Sequence, residues 1–164
     1  MAASAMREKH DGMLDHSASV RLWLRLLSCT IVMEKQVRRG LSSDFGTTLP
    51  RFDVLAALDR NPEGMTMGAL SRSLLVSNGN VTALVQKLVR DGHVALKSSP
   101  ADRRASGASL TLAGKSYFAT LARSHHRWIE AMMSDLSRDQ SALLFDLLGA
   151  LKVSIAHADP QEMP

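Results

Sequence analysis

Between Ser77 and Arg90 the chain sets hydrogen-bonding side chains on the side opposite an apolar stripe. Val81, Leu84, Val85, Leu88 and Val89 recur at i, i+3, i+4, i+7 and i+8, the rhythm of one buried helix face. Gly79, Ala83, Gln86 and Arg90 then lie opposite, with Asn80, Thr82 and Lys87 on the flanks. Asn and Gln amides can bond an adenine edge in two places, Lys can reach guanine or phosphate, and residues as small as Gly79 and Ala83 let a duplex come close. Ser77 and Asn78, at the head of the same helix, can hold a phosphate. An ordinary amphipathic helix with a polar outer face has the same pattern, so the neighbouring elements decide between the two.

Those neighbours are legible. A long helix is expected from about Asp15, where Val20, Trp23, Leu24, Leu27, Ile31, Val37 and Leu41 recur at helical spacings between charged residues. So long an amphipathic helix seldom finds enough core in a small chain, and pairing with a second copy is a natural way to bury it. A shorter helix follows, with Thr47 or Thr48 as cap and Pro50 in its first turn, ending before the turn Asn61-Pro62-Glu63-Gly64. Thr66 caps a third helix, with Leu70, Leu74 and Leu75 on one face, and Ser77 caps the helix described above, which stops at Gly92. Beyond it Val94 and Leu96 alternate with Ala95 and Lys97, Ser98-Ser99-Pro100 breaks the strand, and a tip carrying Asp102, Arg103 and Arg104 leads to a return strand ending at Leu110. Gly107-Ala108-Ser109 is poor in β-formers. Thr111 caps a helix to about Met133, and Ser137 with Gln140 opens a last helix bearing Leu143, Leu144, Leu147, Leu148, Leu151 and Ile155. The expected fold is mainly α with a small β-hairpin wing: a winged helix-turn-helix between long N- and C-terminal dimerisation helices.

Charge agrees with this order. Residues 66–115 hold seven basic side chains against two acidic ones, while the rest of the 164-residue chain is almost neutral. The excess positive charge thus sits on the block that would face a polyanion, although a solvated charged face is the plainer alternative. The longest unbroken apolar run is five residues, Val54 to Leu58, far short of the ~20 of a membrane helix. The single Cys29 excludes an intramolecular disulfide, and a cytoplasmic location is the default expectation. No P-loop, nucleophile elbow, dinucleotide fingerprint or zinc-protease pattern supports an enzyme. His125 and His126 point about 100° apart on their helix, so neither a metal nor another cofactor is expected. Seven aromatic residues, with only Tyr117 and Phe118 at the basic block, are too few for stacking single strands or RNA.

Residues 47–116 resemble the DNA-binding lobe of the MarR family of bacterial regulators. The stretch Ser77-x3-Val81-Thr82-x-Leu84-Val85-x2-Leu88-x3-Gly92 follows its recognition helix, and Asp102-x-Arg104, five residues, Leu110-Thr111-x2-Gly114 follows its wing. The resemblance implies that Arg104 enters the minor groove, where A·T-rich sequence concentrates negative potential, and that Asp102 holds the wing; without it, the two residues read as an exposed ion pair of little worth. Arg103 is expected on a phosphate. It also implies a homodimer on double-stranded DNA, with 15–46 and 117–157 as dimerisation helices, 47–116 as the DNA-binding lobe, and 1–14 and 158–164 as tails.

Three segments, Leu22-Trp23-Leu24-Arg25-Leu26-Leu27, Thr48-Leu49-Pro50-Arg51-Phe52-Asp53 and Asn78-Gly79-Asn80-Val81-Thr82, are similar to the MarR members that respond to hydroxycinnamic acids or their coenzyme A thioesters. That likeness implies an effector between the dimerisation helices and the DNA-binding lobe. Trp23, Leu27 and Phe52 are candidates for the aromatic ring, Arg21, Arg25, Arg38, Arg39 and Arg51 for carboxylate or phosphate, and His16 and His125 for a phenol. Trp23 and Phe52 equally sit at core spacings, and the arginines equally suit a wet surface. Cys29 leaves a thiol-sensor alternative open, against an inert packed thiol, since the nearest cations are Arg25 and Lys35. A DNA-architectural module without a ligand is a further alternative. The reading that follows from these expectations is a repressor released from a pseudo-palindromic operator by a small aromatic effector.

Overall fold

The computed structural model describes residues 17–97 and 107–158. His16, the wing-tip residues Asp102, Arg103 and Arg104, and nearly all of both expected tails lie outside the described residues. The elements are α1 (Ala18–Phe45), α2 (Leu49–Asp59), β1 (Met65–Thr66), α3 (Met67–Leu74), α4 (Asn78–Arg90), β2 (Val94–Lys97), β3 (Gly107–Leu110), α5 (Leu112–Met133) and α6 (Arg138–His157). The fold is mostly helical with a small antiparallel sheet, as the sequence leads one to expect. The described residues fall into two compact units, one up to Trp128 and one from Ile129.

In the first unit α2 is the centre. Phe52, Val54, Leu55, Ala57 and Leu58 are all buried, which is why this helix reads as a continuous apolar run rather than a stripe. It packs on α3, α4 and β3, and α1 also touches it. α1 opens on Ser17, whose hydroxyl accepts from the Val20 N–H, and closes on Gly46 at φ 59°, where Gly46 and Thr47 donate to the carbonyls of Ser42 and Leu41. Thr66 caps α3 by accepting from the Ala69 N–H at 3.2 Å.

The sheet runs β1-β3-β2, so the expected two-stranded hairpin carries a third strand. Met65 faces Ala108 and Thr66 faces Gly107 on one side of β3, and Val94 to Lys97 pair with Leu110 to Gly107 on the other. β3 is therefore the middle strand, with Ala108 and Ser109 buried. Its small residues lie against α2; on the other side the chain comes so close that a side chain on Gly64 (φ 96°) would stand 2.9 Å from the Ala108 carbonyl, which calls for glycine at 64. A second departure concerns Leu75, expected on the apolar face of α3. It instead ends that helix at φ 54° and is 92% exposed.

Thr111 joins three elements. Its N–H donates to the His93 carbonyl at 3.1 Å, its hydroxyl donates to the Gly92 carbonyl at 2.8 Å, and the same oxygen accepts from the Gly114 N–H at 2.9 Å. Gly114 lies so close to the His93 backbone that a Cβ there would run into the His93 carbonyl. Gly114→Ala is accordingly expected to cost roughly 3 kcal/mol, the upper range for overpacking against atoms that cannot yield. Urea unfolding checks this.

In the second unit, Ser137 and Gln140 form the expected capping box, the Ser137 N–H donating to Gln140 Oε1 at 2.8 Å and the Gln140 N–H donating to Ser137 Oγ at 3.1 Å. α6 then runs 20 residues with none of them buried.

Candidate nucleic-acid interface

α3, the turn Leu75 to Ser77, and α4 make a helix-turn-helix. Leu75 in the left-handed region reverses the chain, and the Ser71 hydroxyl fastens the turn by donating to the Val76 carbonyl. α4 seats Val81, Val85 and Leu88 in the core, exposed by no more than 2%. That burial fixes its rotation: Gly79, Asn80, Ala83, Gln86 and Arg90 are all exposed, as a groove-reading helix requires. Nothing lies within 4 Å of a Cβ built on Gly79, so the fold itself places no demand for glycine there. Ser77 caps α4 in backbone conformation only, its side chain accepting no capping bond. Asn78 supplies the first residue of α4, and Thr82 is half-buried.

Lys87 is less free than its sequence position suggests. Its Nζ donates to Asp91 Oδ1 at 2.7 Å, and that hydrogen bond holds the Asp91 carboxyl below its ordinary range, with the charges of Lys87 and Arg51 adding to it. Arg51 enters the picture from α2. Together with Pro50 it forms one wall of a groove of about 380 Å³ whose other wall is Val76, Asn80, Ala83, Leu84 and Lys87.

The residues expected at an effector separate into groups. Phe52 is 8% exposed and stacks on His125 at 4.7 Å between centroids, with Phe118 at 5.6 Å on the other contact. Phe118 was not among the expected residues, yet it lies two turns before His125 on α5, a spacing that puts both on one face. Arg51, the residue before Phe52, points about 100° away from that stack on its helix and lines the groove beside α4. On α1, Trp23 is 59% exposed, departing from its core spacing; Leu27 is half-buried. Arg21 and Arg25 share a shallow depression of about 230 Å³ with Ala18 and Leu22. Arg38 donates through Nε to Glu34 at 2.8 Å and opposes Asp53, whose carboxyl is pushed up by burial. Arg39 and Cys29 are exposed.

Burial against Phe52 also pushes the His125 imidazole below its ordinary 6.5, with the neighbouring His126 adding to the shift. A histidine whose folded value is depressed takes up its proton in the unfolded chain first. Its contribution is fully present above about 6.5 and is lost as pH falls from there through the folded value. Melting temperature is expected to drop between pH 7.5 and pH 5, and to drop less in His125→Phe, which keeps the ring stack without the proton. An equal drop in both proteins would assign the loss to other groups.

A MarR family model matches residues 45–105. The chain is 36% identical over 105 residues to the transcriptional activatory protein BadR of Rhodopseudomonas palustris, a match covering 63% of this chain and 59% of that protein. It is 34% identical over 127 residues to the HTH-type transcriptional regulator YkoM of Bacillus subtilis, covering 77% and 80%. Among solved structures, a MarR family transcriptional regulator from Silicibacter pomeroyi superposes with a TM-score of 0.71 at 34% identity, covering 84% of this chain and 94% of that one. Sco3205 of Streptomyces coelicolor, a MarR family regulator in complex with DNA, shares the fold with a TM-score of 0.74 at 20% identity, covering 87% and 91%. With its helix-turn-helix, its small sheet and these relatives, the chain belongs to the MarR family of DNA-binding transcriptional regulators and is not an enzyme.

Proposed function

We propose that this regulator is a homodimeric repressor that holds a pseudo-palindromic operator through α4 and the wing and leaves it when a small aromatic acid or its coenzyme A thioester binds. The observation that carries the DNA reading is the rotation of α4, which turns Asn80, Gln86 and Arg90 outward while Val81, Val85 and Leu88 are buried. Gln86 and Asn80 are then base-reading residues. Ser77, Asn78, Thr82, Lys87 and Arg90 flank them at phosphates, Arg103 and Arg104 act from the wing, and Asp102 supports it. Support for a dimer comes from α6, whose Leu143, Leu144, Phe145, Leu147 and Leu148 are exposed. Burying such a side chain is worth roughly 1.5–3 kcal/mol, and a second copy offers the same surface in return. On this reading 15–46 and 117–157 are the dimerisation segments.

Several phosphate contacts per copy make binding salt-sensitive. A dimer engaging six to ten phosphates is expected to lose roughly 10³ to 10⁵ in affinity between 50 and 200 mM salt. Gln86→Ala should relax base preference at one position per half-site by about 1–3 kcal/mol, and fluorescence anisotropy on a set of single-base operator variants reads both effects. Affinity that hardly changes with salt, or a base preference untouched by Gln86→Ala, contradicts the assignment.

For the effector, support comes from the stack of Phe52, Phe118 and His125 and from Trp23 with Arg21 and Arg25 on α1. Titrating p-coumarate, ferulate and their thioesters against the protein–operator complex is expected to release the DNA, and Trp23→Ala to keep operator binding but lose the release. Cys29→Ser should change neither. Release by hydrogen peroxide alone, lost in Cys29→Ser, favours the thiol sensor instead; no release by any compound favours a ligand-independent architectural module. The name of BadR, a transcriptional activatory protein, favours a second reading in which the bound dimer activates, and transcription from a reporter carrying the operator distinguishes the two signs.

A further inference from the structure

We infer that Arg51 is a DNA-backbone contact, a phosphate-gripping cation carried by α2 beside the recognition helix, and that Asp91 limits how much of the neighbouring Lys87 charge the DNA meets. The inference rests on the reading of α4 as the groove-entering helix and adds a contact from a different element.

Four observations lead to it. First, Arg51 shares the 380 Å³ groove with Asn80, Ala83 and Lys87, residues of the polar and small side of α4, so a strand lying along that side passes Arg51. Second, of the two cations on the groove, Lys87 is already held by Asp91 at 2.7 Å. Among the described residues the Arg51 guanidinium makes no hydrogen bond or ion pair. It is also close enough to Asp91 for its charge to be felt there. Third, a guanidinium presents a planar fork that meets two phosphate oxygens at once, where an ammonium offers one point charge; the member of the pair that is not hydrogen-bonded to Asp91 is the one better shaped for phosphate. Fourth, the ring of the next residue, Phe52, is committed to His125 and Phe118. Consecutive residues of α2 thus serve different sides, and Arg51 stands apart from the aromatic set with which its sequence position grouped it.

The Lys87–Asp91 pair gives the groove a second property. An acid four residues after a lysine at the end of a DNA-reading helix offsets one positive charge where the DNA would meet it. Removing that acid frees the ammonium for phosphate, whereas removing Arg51 deletes a contact.

The test measures affinity by fluorescence anisotropy from 50 to 300 mM salt, on the operator and on a scrambled duplex, for the full-length wild type, Arg51→Ala, Arg51→Lys, Asp91→Asn and Gln86→Ala. Melting temperatures confirm that each variant folds. Arg51→Ala is expected to weaken both duplexes by the same factor and to lower the magnitude of the salt slope by about 1 for each copy bound. Arg51→Lys should restore the slope, and Asp91→Asn should tighten binding and steepen it. If Arg51→Ala leaves affinity and slope unchanged while Gln86→Ala still relaxes base preference, the Arg51 contact is wrong and the α4 reading stands. If Arg51→Ala alters preference at one base pair, it reads a base and the backbone assignment is overturned. If Gln86→Ala leaves base preference intact, the α4 reading falls and takes this inference with it.

Discussion

The helix-turn-helix and its small sheet depend on one small junction. Thr111 ties the carbonyls of Gly92 and His93, just past the end of α4, to the first turn of α5, and Gly114 lets that turn lie against the His93 backbone. β2 leaves from the same place, and β3 arrives there at Leu110. α4, the strands β2 and β3 and the long helix α5 are therefore fastened within a few residues. His93 stacks flat on Tyr117 at 4.2 Å, adding a side-chain contact to the backbone ones. The Leu-Thr-x-x-Gly pattern thus has a mechanical meaning: Leu110 ends the strand, Thr111 makes the tie, and Gly114 yields the space.

On the proposed reading, an effector would have to act across this junction. A ligand acts only through its difference in affinity between two arrangements, and DNA must then weaken the ligand by the factor by which the ligand weakens DNA. The aromatic contacts of Phe52 with Phe118 and His125 join α2 to α5, and α5 is the element tied to the end of α4. That stack joins α2, which packs on α4, to α5, whose first turn is tied to the residues just after α4.

Much of this was legible in the sequence because it depends on local rules. The apolar rhythm of α4, the Thr66 cap and the Ser137–Gln140 capping box are set by residues within a turn or two of each other. What was not legible depends on neighbours distant in the chain. β1 has two residues and pairs only because β3 is brought beside it; the return strand β3 was expected in spite of its weak β-formers, and its small residues lie against α2. Leu75 fits an apolar stripe by spacing, but the turn requires a left-handed residue there. Trp23 has core spacing and stands exposed, as does most of the apolar surface of α6. Arg51 and Phe52 are adjacent in sequence and were grouped for that reason, yet the helix turns one toward α4 and the other toward α5.

The central claim is that two copies set α4 into successive major grooves of one duplex face, and hydroxyl-radical footprinting on the DNA upstream of the protein's own coding sequence tests it most directly. The account expects protected backbone patches on one face of the helix, centred about 10 base pairs or a multiple of that apart. A single patch, or protection spread evenly along the duplex, would contradict it.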